Sequence, residues 1–105
     1  MTVRNIMTRI FKWLRTSAAT SRRQKLADEL PVRDEEIAGY RLNIDRYERM
    51  LAAIAAMPPD APETAGLRDY AEQRLKPLLD GERANLALIE LTRDTIVEML
   101  AQEAG

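Results

Sequence analysis

The chain has 105 residues, 46% of them apolar, and contains neither cysteine nor histidine. Those two absences exclude disulfides, thiolate nucleophiles, Ser-His and Cys-His pairs, and any base whose ordinary pKa lies near neutrality. The net charge of −1 conceals a division: residues 1–25 carry seven bases and no acid, a charge of +7, and the other 80 residues carry nine bases against 17 acids, a charge of −8.

The basic stretch comes first in the chain. At 100° per residue, Val3, Ile6, Met7, Ile10 and Leu14 share one arc, Phe11 and Trp13 stand at its borders, and Arg4, Arg9, Lys12 and Arg15 lie opposite. This predicts a basic amphipathic helix over 3–16, with its aromatic rings where interface-seeking helices carry them. Three basic residues interrupt it too often for a secretory signal, although its acid-free, Arg-rich character is shared with organellar transit peptides. The small residues 16–21 predict a hinge or a frayed continuation, after which Arg22, Arg23 and Lys25 extend the basic strip. The expected organisation is therefore an arm over 1–25 followed by a hairpin over 26–105.

From Leu26 the apolar residues recur in steps of four and three: Leu26, Leu30, Ile37, Tyr40, Ile44, Tyr47, Leu51 and Ile54, with Arg33 the one polar interruption. That period is a heptad seam. Pro31 suits the first turn of a helix and breaks one already under way, so the main helix is expected over 32–57, with 22–30 as a separate or kinked lead-in. Its outer face is expected to hold Arg41–Asp45 and Asp45–Arg49 pairs. The triplet Asp34-Glu35-Glu36 then falls in the first turn, where acids complement the macrodipole without any metal ion. Gly39 costs about 1 kcal/mol relative to alanine in a helix interior, and marks either a close helix contact or nothing.

Residues 57–62, Met-Pro-Pro-Asp-Ala-Pro, cannot continue a helix, and the turn is placed at 58–62. Asp60 and Glu63 have the spacing of a capping box. A second helical run over 63–103 returns along the first, with a bend expected at Pro77, next to Asp80-Gly81. Its last part has two apolar sides. Leu86, Ile89, Ile96, Val97 and Leu100 form one, and Ala84, Leu88, Leu91, Thr95 and Met99 form another roughly opposite. One neighbour cannot cover both, so the second side needs either the basic arm of the same chain or a second copy.

The fold class is thus all-α: a long antiparallel helical hairpin, kinked at Pro77 and preceded by a basic amphipathic helix, assembling as a coiled-coil bundle and most simply as a homodimer. No stretch reaches the roughly 18 apolar residues of a membrane span. No catalytic residue, cofactor or metal site is expected, because Asp80-Gly81-Glu82 lacks the ligand pattern of a calcium loop and there is no Gly-rich phosphate cradle. Tyr40 and Tyr47 read as seam residues rather than as base-stacking platforms.

The expected function is a small non-enzymatic protein-protein interaction component, acting as an adaptor, assembly factor or inhibitor. It would bind through Arg9, Phe11, Lys12, Trp13, Arg15, Arg22, Arg23 and Lys25. The alternative is a phosphate-binding module in which the same arm meets an anionic membrane or nucleic acid. A protein partner is expected and a small-molecule substrate is not. The expected location is cytoplasmic, with a membrane periphery or a phage particle as variants. The 13 Arg against 3 Lys, together with 15 Ala, resemble a high-GC bacterial or phage coding bias.

Overall fold

The computed structural model describes the backbone of residues 3–104 and the side chains of residues 9, 10 and 20–103. Two long helical rods lie antiparallel, with no strand among the described residues. The first is a single helix, α1 (Val3–Ala55). The second comprises α2 (Pro62–Tyr70), a π-turn at Ala71–Leu75, and α3 (Lys76–Ala104). The molecule measures 92 × 18 × 15 Å, with a radius of gyration of 25.0 Å. A compact chain of this length would have a radius near 13 Å.

α1 decides between the alternatives at two places. Of the hinge and the continuation expected at 16–21 it takes the continuation, and Pro31 lies inside the helix instead of starting a new one. The physical reason is the seam. Leu26, Leu30, Arg33 and Ile37 keep their period across Pro31 and all turn inward, while Pro31 is exposed. Packing along both sides of the proline holds the helix where local propensity alone would end it. Because α1 begins at Val3, the acids at 34–36 lie mid-helix, so the macrodipole no longer explains them. Two of the three are held instead by ion pairs: Asp34 accepts from Arg93 on α3, and Glu36 meets Arg33 at 2.9 Å. Asp45–Arg49 forms at 3.0 Å as expected, but Arg41 turns away from Asp45 to reach Glu90 across the hairpin at 3.1 Å.

At the tip, α1 closes with Met57 N–H donating to the Ile54 carbonyl at 3.2 Å. The expected capping box does not form. Ala61 is the N-cap of α2 without any side-chain cap, and Pro62 occupies the first turn, where its missing N–H has no consequence. Thr64 fastens the turn instead. It is 0% exposed, and its Oγ1 donates to the Pro58 carbonyl at 2.6 Å. Thr64→Val keeps the shape and deletes the donor, so it is expected to cost about 1–2 kcal/mol in a urea denaturation series.

The bend expected at Pro77 is resolved one turn earlier. Lys76 N–H donates to the Ala71 carbonyl, a five-residue reach, and α3 then runs unbroken through Pro77 and Gly81. A proline ring clashes with the carbonyl four residues back, here that of Gln73, and a widened turn relieves that clash. The core also asks for it. Ala71, Leu75 and Leu79 are all buried at successive four-residue steps, which on a regular helix would drift around the rod by about 40° each. The longer π-turn brings residues four apart back into line.

The core is a line of side chains between the rods: Ile37 and Ile54 from the first helix, and Ala71, Leu75, Leu79 and Ile96 from the second. Tyr47 and Leu51 pack on the Ile54–Ala71–Leu75 cluster near the tip. Gly39 makes no close contact, since a Cβ built there meets nothing within 4 Å. Gly39→Ala is therefore expected to stabilise the hairpin by about 1 kcal/mol, raising its melting temperature by about 4–8 °C.

Candidate interaction surface

Cross-helix pairs fix the register of the two rods. Asn43–Glu82, Arg41–Glu90, Glu48–Arg83 and Asp34–Arg93 have residue numbers that add to between 125 and 131. Glu103, near the end of α3, therefore falls opposite residues 22–28 of α1. The helical residues before that point have no residue of α3 opposite them.

Of the predicted partner-binding residues, Arg9, Arg22, Arg23 and Lys25 are exposed. No ion pair among the described residues involves any of these four. Phe11, Lys12, Trp13 and Arg15 lie within α1, but their side chains fall outside the described residues. Docking of the arm on the second apolar side of its own α3 is ruled out by the course of the chain. A helix continuous from Val3 to Ala55 cannot fold back on its own hairpin.

That second side of α3 is left uncovered. Leu88 is 60% exposed, Leu91 64% and Met99 42%, whereas Ile96 on the opposite side is 4% exposed. Ala84 and Thr95 complete the stripe, both exposed. The hydroxyls of Thr92 and Thr95 donate to the carbonyls of Leu88 and Leu91 at 2.9 and 2.8 Å. Each polar group on this face is thus satisfied within its own helix, and the face can be desolvated without orphaning a hydroxyl.

Two further features border the seam. Arg33 stands between Leu30 and Ile37 with its Nε buried and unpartnered, and only its terminal nitrogen is engaged by Glu36. Its sequence signal was its place as the one polar residue in an apolar heptad series. Near the tip, an apolar groove of about 650 Å³ lies beside the π-turn, floored by Ala52, Ala55 and Ala71 and rimmed by Arg68, Glu72 and Lys76. Sequence reading missed this groove, because it depends on the π-turn and on small residues from both rods facing each other. Lys76 and Glu72 pair with each other on its rim.

Electrostatics across the seam is simple. The Arg93 guanidinium is held above its ordinary pKa, first by the hydrogen bond it donates to Asp34 and then by the charge of that carboxylate, against a smaller opposing effect of burial. A raised cation loses this stabilisation on the alkaline side only as pH climbs past its ordinary value, so this pair persists across the neutral range. Among the described residues no cluster of acids has the arrangement to hold a metal ion. No described helix is long and apolar enough to cross a membrane. Comparison with protein-family models, with curated proteins and with solved structures finds no match.

Proposed function

We propose that the chain is a non-enzymatic helical interaction protein that works by presenting a preformed apolar helix face to another protein helix. The observation that carries this reading is the uncovered stripe of α3. Leu88, Leu91 and Met99 stand at coiled-coil spacing on a rigid rod, with the opposite side of the same helix already used for the core. Isolated exposed leucines are ordinary on protein surfaces, but a contiguous, charge-free stripe at heptad spacing is what a partner helix reads.

The test replaces Leu88 and Leu91 together by Glu and follows association by sedimentation velocity. Both residues are exposed, so the helical content is expected to stay at the wild-type level while association is lost. A different result would favour phosphate binding by the arm. There the chain would remain monomeric, would bind anionic phospholipid vesicles or duplex DNA whether or not the stripe is altered, and would lose that binding by orders of magnitude between 50 and 500 mM salt.

A further inference from the structure

We infer that the uncovered face of α3 is filled by residues 3–22 of a second copy of this chain, each copy lending its basic helix to the hairpin of the other. This rests on the interaction reading above and commits it to one occupant.

Charge is the first reason. The fold brings residues 26–40 and 90–105 together at the open end of the hairpin, the end away from the turn. The first range holds five acids and one base, and the second holds four acids and one base, a net −7. The tip half, residues 41–89, holds eight acids and seven bases, a net −1. The acidic excess that balances the +7 of residues 1–25 is therefore not spread over the body. It is gathered at one end, which the continuous α1 prevents its own arm from folding back to cover. A second copy brings the two charges together, and such complementarity favours encounter and fixes orientation.

Length and period agree with charge. Residues 3–22 make a helix of about 30 Å, and so do residues 84–103. Two copies with their open ends facing place each arm along the α3 of the other, running in the same direction, with residue 22 near the end of α3 and residue 3 near Ala84. In that arrangement a constant offset of 81 matches the two apolar series: Val3 with Ala84, Met7 with Leu88, Ile10 with Leu91, and Leu14 with Thr95. One turn further on, Ala18 meets Met99. Small residues face large ones at three of these levels, the pairing that lets helices approach closely.

Surface area leaves room for this contact. The chain exposes 8180 Å², against about 6,000 Å² for a compact monomer of its 12.0 kDa mass. A standard interface takes about 800 Å² from each partner. The arrangement is two-fold symmetric, so both arms and both stripes are used and the assembly closes as a dimer.

The decisive experiment reverses charges on each side separately. One variant carries Arg4→Glu, Arg15→Glu and Arg22→Glu, the bases that flank the arm's apolar arc, and the other carries Asp94→Lys, Glu98→Lys and Glu103→Lys. By sedimentation equilibrium at 150 mM salt the wild type is expected to be a dimer, and each variant alone is expected to dissociate with a constant at least about tenfold higher. An equimolar mixture of the two is expected to form a heterodimer, because each reversed arm then meets a reversed hairpin.

A cysteine-free chain permits a second measurement that does not depend on charge. Ile10→Cys with Leu91→Cys is expected to cross-link on oxidation into a dimer, while either substitution alone is not. Cross-linking by Leu91→Cys alone would mean that two α3 helices pair with each other. That outcome overturns arm exchange and leaves the interaction reading standing. A monomeric wild type, or a dimer indifferent to both charge reversals, also overturns it.

Discussion

Leu75→Ala is expected to lower the melting temperature by about 10–30 °C, the largest loss of any single truncation in the hairpin. Leu75 is 1% exposed and packs with Ile54 and Ala71 beside the π-turn. Truncating a buried leucine removes its transfer free energy and leaves a cavity, together about 2–5 kcal/mol. In a small domain each kcal/mol is worth about 4–8 °C. The effect is large here because the core is one residue wide. A two-rod hairpin has no second layer to collapse into the void, and the neighbouring Ala71 is too small to fill it. The control is Leu42→Ala, whose side chain is half exposed and whose loss is expected to stay within about 0.5 kcal/mol. Both are measured by circular dichroism at one fixed protein concentration, so that association does not enter the comparison. Equal shifts for the two variants would mean that the seam around Leu75 is not the core.

How much of this was legible in the sequence follows from which forces act locally. The heptad series from Leu26 to Ile54 was readable because the period of an amphipathic helix is written in residue type alone, and every member turns inward. The turn at 58–62 was equally readable, since three prolines in five residues leave no helical alternative. Two features were not. The continuity of α1 at Pro31 depends on how strongly flanking residues pack on a distant helix, 59 positions away at Asp34–Arg93, which no local rule contains. The π-turn at Ala71–Leu75 depends on the joint demand of Pro77 and of three buried residues in a row, and the sequence displays only the proline.

The site divides the same way. The two-sided pattern of α3 was visible as two stripes of residues; the structure turns Ile96, and less completely Leu86, Ile89 and Leu100, toward the hairpin and leaves Leu88, Leu91 and Met99 exposed, with Val97 of the first stripe exposed as well. The +7 arm was visible too. The location of its balancing charge was not, because Asp34 and Asp94 become neighbours only when the register of the rods is known. Sequence counts charge along a line, while an interface meets it on a surface.

Pro31→Ala is expected to raise the melting temperature by about 8–16 °C, in contrast to most core substitutions, which lower it. Within α1, Pro31 offers no N–H to the Ala27 carbonyl, and its ring crowds that same carbonyl. A helix-interior proline is about 3 kcal/mol less favourable than alanine. Part of that is offset because proline also restricts the unfolded chain, by about 0.4–1 kcal/mol, leaving a net gain near 2 kcal/mol. Pro31 is exposed, so no packing is lost with its ring. The variant also tests the geometry behind arm exchange. If α1 is one rod from Val3 to Ala55, alanine at 31 stiffens it and leaves the dimer as tight as before, or tighter, because the arm is better held in the pose its partner accepts. If residues 1–30 instead fold back on their own α3 through a break at Pro31, removing the proline opposes that fold. The variant would then melt no higher than wild type and would convert a monomer into a dimer. Melting and sedimentation on this one substitution therefore distinguish a continuous helix that reaches a second molecule from a jointed one that covers its own.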